Sequence, residues 1–312
     1  MALLSRKILV ALKKETIYGT PETLAGTDCM LVTTDPSRLT ALAGNTAARD
    51  FARPYLGNSS TIQVEAYRQL SFDIELAGSG TAGTRPAYGD ALLMCGLAET
   101  VSAGSKVEYE PVSTGFDAAT MATNLDGVNF TLVGARSNLS VNLARGQLPK
   151  LTLDAMGRYA APTDTAALVP DFSGFKVPVA ASSVNTPTVT LFGESLCMES
   201  FQLDLGNQIV FRDLPGCSAA VELTQRAVTG TIVFQMTTVA DYNWVEAAKT
   251  KTSGALQIIH GTAAGNIIQI DGAQVTLNPP SFSDSDGIVM CSIPLVFEPT
   301  SAGNDELVLT FK

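Results

Sequence analysis

Apolar and polar residues alternate along most of this chain. In LSFDIEL, residues 70–76, Leu70, Phe72, Ile74 and Leu76 fall on one side and Ser71, Asp73 and Glu75 on the other. SNLSVNLARG, residues 137–146, sets Leu139, Val141 and Leu143 against Asn138, Ser140 and Asn142. LTLDAMG (151–157), TPTVTLFG (186–193), TGTIVFQM (229–236), AQVTLNP (273–279), CSIPLVFEP (291–299) and ELVLTF (306–311) read similarly. A strand turns successive side chains to opposite faces, so period two requires sheets buried on one side and wet on the other, which antiparallel pairing provides. Only two stretches suit a helix. PAYGDALLMCG (86–96) begins at a proline and stops at Gly96, with Ala91, Leu92 and Cys95 as its inward stripe. VADYNWVEAAKTK (239–251) offers Asp241 as N-cap and packs Trp244, Val245 and Ala248 on one side. The expected fold class is mainly β.

The elements occur twice in the same order. ARPYLGNSSTIQVEAYRQLSFDIEL (52–76) parallels VFRDLPGCSAAVELTQRAVTGTIVFQM (210–236): a Leu/Gly/Pro turn, a Val-Glu strand, an arginine, then a second alternating strand. Arg68 matches Arg226, Ile74 matches Ile232 and Leu76 matches Phe234, and a helix follows in each half. DGVNFTLVGARSNLSVNL (126–143) then parallels AGNIIQIDGAQVTLNPP (264–280), with Gly134-Ala135 against Gly272-Ala273. This predicts two tandem β-sandwich or barrel domains, each with a short flanking helix. The first spans 1–157, including an N-terminal arm (2–17) and a long irregular loop (18–62); the second spans 193–312. The proline-bearing stretch 158–192 reads as the linker between them.

Charge narrows the function. With 30 acidic and 20 basic residues the net charge is −10, and the only adjacent cations near the start are Arg6-Lys7 and Lys13-Lys14. A protein that grips phosphate needs clustered Lys and Arg, so a nucleic-acid binder is excluded. Charged residues make up only 16% of the chain, against about 25% usually, which suits a surface covered by copies of itself. The five cysteines are scattered without a C-x-x-C pair and read as buried free thiols of a reducing cytoplasm. The single histidine, His260, leaves no ligand spacing for zinc, and no metal or cofactor is expected. The segment MALLSRKILVALKKE has too short an apolar core for a signal peptide, and no run suits a membrane span, so neither export nor a membrane partner is expected.

Three motifs invite chemistry and decline it. GSGTAG, residues 78–83, spells a dinucleotide loop. The strand before it has a wet face bearing Asp73 and Glu75, Pro86 separates it from the helix, and TTVADY replaces it in the second half, so it reads as a strand-to-helix turn. A Ser-His-Asp arrangement would have to use His260 in LQIIHGTAAG, and a lone strand-end histidine reads instead as a satisfied or exposed residue. FSDSDG, residues 282–287, lacks the closing glutamate of a calcium loop and reads as a hairpin turn. No catalytic constellation remains, so an enzyme is not expected.

KKETIYGTPET, LSFDIELAGSGTAGTRPAYGDALLMCGLAET and NFTLVGARSNLSVNLARGQLPKLTLDAMGRY, continued by GESLCMESFQLDLGNQIVFRD and VELTQRAVTGTIVFQM, resemble the major tail tube proteins of long, non-contractile phage tails. The likeness is closest to those of Mu-like siphophages that infect Pseudomonas, and it covers nearly the whole chain. It implies a virion tail protein, assembled in the host cytoplasm, whose β-sandwich or barrel protomers form stacked rings around a lumen for double-stranded DNA. A tape measure protein and tail-end proteins are the partners it implies. Two tube domains per chain would close a six-fold ring with three copies. The candidates for the lumen wall are Ser71, Asp73, Glu75, Asn138, Ser140, Asn142, Thr229, Thr231, Thr276 and Asn278, the same faces being alternatives for the outer surface. Ring stacking is expected from the arm and long loop, through Arg6, Lys7, Lys13, Lys14, Tyr18, Arg53 and Tyr55. The tube protein of a contractile injection system and a β-sandwich adhesin are the alternatives.

Overall fold

The computed structural model describes residues 2–34 and 38–312; residues 35–37 of the loop expected at 18–62 lie outside them. The protein is mainly β, with two short helices. One antiparallel sheet crosses the whole molecule. Its strands in spatial order are Val32–Thr33 with Leu39–Ala43, then Tyr67–Glu75, Lys150–Tyr159, the C-terminal part of Val128–Ala144, Met198–Asp204, Thr229–Gln235, Ile288–Phe297 and Ser281–Ser285.

Two long strands carry the chain out of this sheet. Val128–Ala144 shifts register near Gly134, and its first residues pair with Ala119–Leu125, which pairs in turn with Ile8–Lys14. Ile268–Leu277 shifts register next to Gly272 and pairs with Ser253–His260, which pairs with Thr188–Leu191. A bulge adds one residue on one strand and bends it, which is how a strand changes partners without leaving its backbone groups unpaired. Both shifts fall at or beside the Gly-Ala dipeptides matched in the sequence. The apolar faces of both sets of strands close one continuous core, in which Phe72, Phe201, Phe234 and Trp244 are fully buried. Each such side chain contributes about 1.5–3 kcal/mol by burial. The Phe234 and Trp244 rings meet edge-on at 5.2 Å.

The first helix, Gly89–Leu93, buries Ala91 and Leu92, with Cys95 buried just beyond, as its stripe predicted. The second, Trp244–Thr250, differs from expectation at both ends of the reading. Its N-cap is Asn243, whose side chain accepts from the Glu246 N–H. Asp241 is consumed one turn earlier, its carboxylate accepting from the Thr238 N–H and hydroxyl. The buried stripe is Trp244, Ala247 and Ala248, the i, i+3, i+4 set of that register, and Val245 is left exposed.

Other expectations change where strands are short. The stretch 18–62 contains paired strands at Cys29–Met30, Val32–Thr33, Leu39–Ala43, Thr46–Ala48 and Thr61–Gln63, each too brief to show a period. Of the arm at 2–17, Ile8–Lys14 is a strand with Val10, Ala11 and Leu12 in the core. The strand Lys150–Tyr159 runs through position 157, and Thr188–Leu191, at the end of 158–192, pairs with the second half. Cys29, Cys95 and Cys291 are buried, but Cys197 and Cys217 are exposed, Cys197 in the short link before Met198–Asp204 and Cys217 at a turn, both outside the alternating runs.

GSGTAG is a joint between the halves. The Gly78 N–H donates to the Asn266 side-chain oxygen at 2.8 Å and the Gly80 N–H to the Gly265 carbonyl at 2.9 Å. A Cβ on Gly78 would stand 2.1 Å from the Gly265 oxygen, and one on Gly265, at φ +85°, would stand 2.3 Å from the Gly80 carbonyl carbon. The glycines let backbone touch backbone. FSDSDG is the expected hairpin: Ser285 pairs with Ile288 across Asp286 (φ 54°) and Gly287 (φ 82°).

His260 is buried and satisfied on both ring nitrogens. Its Nε2 lies 3.0 Å from the Val179 carbonyl and its Nδ1 2.9 Å from the Thr186 hydroxyl. A carbonyl only accepts, so Nε2 carries the proton and Nδ1 accepts from Thr186. Burial pulls its pKa below the ordinary 6.5, against the hydrogen bond to Val179 that raises it. The unfolded chain therefore binds a proton more readily than the folded one. The stability from neutral His260 is present above about pH 6.5 and is lost as pH falls toward the lower folded pKa. The melting temperature is expected to drop between pH 7 and pH 5, and His260→Gln to flatten that slope; an unchanged slope in the variant would refute the assignment.

Candidate functional site

The register of the long sheet gathers its polar positions into rows. One row runs Thr33, Asp73, Thr152, Ser140, Asp204, Thr229 and Val296. The next runs Glu75, Lys150, Asn142, Gln202, Thr231 and Pro294, and Ser71, Asp154 and Asn138 form a third. Ser71, Asp73, Glu75, Asn138, Ser140, Asn142, Thr229 and Thr231 thus share one continuous face, opposite the core. Thr276 pairs with Val296 in the first row but is buried, its hydroxyl donating to Glu298 at 2.8 Å. Asn278 accepts from the Lys251 ammonium at 2.7 Å.

The sequence reading missed Lys150, Thr152, Asp154, Gln202 and Asp204 on this face, although KLTLDAM and SFQLDLG carry the same alternation. Arg38 could not be found that way, because no period surrounds it. It donates to Ser71 at 2.6 Å and pairs with Asp73 at 3.0 Å. Burial pushes the Asp73 carboxyl up, but hydrogen bonds from Arg38 and Thr152 outweigh it and hold the pKa below its ordinary value. Asn138 donates to Asp204 at 2.7 Å. This face is one of hydroxyls, amides and carboxylates, with Asp73, Glu75, Asp154 and Asp204 set against Arg38 and Lys150. It is acidic and offers no lysine-rich groove. Among the described residues no cluster of three or more His, Cys, Asp or Glu side chains is placed to hold a metal, and no helix is long and apolar enough to cross a membrane.

Both ends of this sheet are open among the described residues. Among the described residues, the strands Val32–Thr33 and Leu39–Ala43 pair on one side only, with Tyr67–Glu75. Ser281–Ser285 likewise pairs only with Ile288–Phe297, and Phe282, Ile288 and Val289 there are exposed. An unpaired edge with apolar side chains is a template for another strand. Within the chain such an edge is used: Ser140–Ala144 pairs with Ser200–Asp204 and joins the halves. A second junction pairs Val107–Tyr109 with Leu309–Phe311.

Two hairpins stand outside the large sheet. Gln208–Arg212 with Ala220–Gln225 lies on the first half. Tyr18 accepts from the Val221 N–H at 2.7 Å, Arg136 donates to the Val221 carbonyl and the Glu222 carboxylate, each at 2.7 Å, and Phe211 meets Tyr67 at 5.1 Å. Val221 and Leu223 are buried there. Thr46–Ala48 with Thr61–Gln63 is left bare among the described residues: Phe51, Tyr55, Leu56, Ile62 and Val64 are all exposed.

The residues expected to stack rings are spread over these features. Arg53 lies over the Tyr55 ring on the exposed hairpin. Tyr18 is engaged by the other hairpin. Lys7, Lys13 and Lys14 pair with Asp126, Glu22 and Asp117, and Arg6 is exposed.

A family model described as phage tail tube protein matches residues 5–299. No curated protein matches the chain.

Proposed function

The chain belongs to the phage tail tube protein family, and on that premise we propose that three copies close each ring of a tail tube that conducts double-stranded DNA. The family is structural and places the chain in the virion tail. The tail we propose is long and non-contractile, of the kind built by Mu-like siphophages, with the acidic sheet face toward the lumen. A duplex carries about one phosphate charge per 1.7 Å, so carboxylates and amides on the wall repel it or leave it free to slide.

One observation carries the count: the sheet junction between Ser140–Ala144 and Ser200–Asp204. Its two sides have counterparts at the open ends. Val32–Thr33 and Leu39–Ala43 pair with Tyr67–Glu75 as Met198–Asp204 pairs with Thr229–Gln235. Ile74 faces Leu151 as its sequence match Ile232 faces Ile293. Ser281–Ser285 follows the bulge of Ile268–Leu277 and pairs with Ile288–Phe297, as Ser140–Asn142 follow the bulge of Val128–Ala144 and pair with Lys150–Tyr159. Docking the first open end of one copy on the last open end of another repeats the internal junction. Such a head-to-tail contact closes a ring when the rotation fits, and two modules per chain give pseudo-six-fold symmetry with three chains.

Counting chains per ring in an electron cryo-microscopy reconstruction of assembled tubes tests this. Three chains with alternating halves are expected; six full-length chains per ring would overturn it.

A further inference from the structure

Resting on that ring, we infer that the hairpin Thr46–Ala48/Thr61–Gln63 clasps the second half of the next copy within the same ring, instead of reaching to a ring above or below. The two hairpins occupy the same place in the repeated order of elements. Each lies between the outermost strand of its own half and the alternating strand that pairs back onto it: Leu39–Ala43 and Tyr67–Glu75 for one, Met198–Asp204 and Thr229–Gln235 for the other. The Val64-Glu65 pair of the first matches Val221-Glu222 of the second. Their surroundings are opposite. Val221 is fully buried against the neighbouring half, while Val64 is exposed.

The internal contact shows what the exposed hairpin lacks. The Gln208–Arg212/Ala220–Gln225 hairpin sits at the end of the first helix and at the bulge of Val128–Ala144. Leu223 lies against Gly96, the left-handed residue (φ 75°) just after that helix, and Arg136 reaches Val221 from the bulge. The second half has the same two features uncovered. Lys251 is the left-handed C-cap (φ 53°) of Trp244–Thr250, and the register of Ile268–Leu277 shifts between Gly272 and Val275. Lys251, Ala273 and, on or just before the same helix, the apolar Val245 and Val239 are exposed. A second copy of this chain, presenting Ile62 and Val64, is the occupant that repeats the internal packing and covers both apolar surfaces.

The full-length chain tests this in two ways. In a Cys197→Ser/Cys217→Ser background, Val64→Cys is combined in turn with cysteine at Val239, Val245 or Ala273, and oxidised tubes are run on non-reducing gels. A clasp within the ring gives covalent products that stop at three chains; ladders that continue past three link successive rings and overturn it. Replacing 46–63 by a short Gly-Ser turn is expected to leave the unfolding midpoint unchanged and, by native mass spectrometry, to yield monomers. Deletion variants that still form trimers but no tubes would refute the clasp and leave the three-copy ring standing. Full-length rings of six would refute the ring itself.

Discussion

Arg68→Met is expected to lower the free energy of unfolding by roughly 3 kcal/mol, the scale of leaving buried carbonyls without donors. Arg68 is fully buried, and its guanidinium fork serves three separate segments. Nε donates to the Ala41 carbonyl at 2.9 Å, Nη1 to Thr131 at 2.6 Å and Nη2 to Ala160 at 3.1 Å. The guanidinium also lies 4.9 Å from the Tyr159 ring centre and 5.2 Å from that of Phe130. Methionine fills the volume and satisfies none of the carbonyls. Lysine keeps a charge but has no planar fork, so Arg68→Lys is expected to recover little. Its sequence match, Arg226, is built differently: it donates to the Val112 carbonyl and pairs with the buried Glu306 at 2.6 Å. Chemical denaturation at constant m-value measures the loss; a change under about 1 kcal/mol would mean that water reaches the carbonyls in the variant.

That arginine also shows where sequence reading reaches its limit. The match of Arg68 to Arg226 is visible in the order of residues around them. What each one holds is not, because the acceptors lie far along the chain: three backbone carbonyls for Arg68, the Val112 carbonyl and the Glu306 carboxylate for Arg226. The strands themselves were legible because Leu70, Phe72 and Ile74 must all face one way. The polar face was legible for the same reason, and Thr152, Asp154 and Asp204 were there to be read by it. The hairpins were not. Thr46–Ala48 and Thr61–Gln63 are three residues each, and nothing in their composition says that one hairpin is covered while its counterpart is bare. That contrast appears only when Val221 and Val64 are placed in space. GSGTAG was read correctly as a turn, but its glycines answer to Gly265 and Asn266, nearly two hundred residues away.

Asp154→Lys combined with Gln202→Lys is expected to slow DNA ejection and lower plating efficiency, both in a salt-dependent way. The two positions lie on the polar face, and they are preferable to Asp73 and Asp204, whose carboxylates hold Arg38, Thr152 and Asn138. In the proposed ring of three copies the pair would add about six cations to the sheet face, repeated at every ring. A protein making that many phosphate contacts loses about a thousandfold in affinity between 50 and 200 mM salt. Virions carrying the variant should therefore assemble normally, stall during ejection at low salt and recover at high salt, followed one particle at a time by fluorescence of released DNA. The outer-face alternative makes a different prediction. If the rows carrying Asp154 and Gln202 faced outward, ejection would be unchanged, and purified tubes would bind added duplex in a form open to nuclease. That pair of results would turn the sheet inside out, leaving the strand order as it is and moving the DNA to the other side of the core.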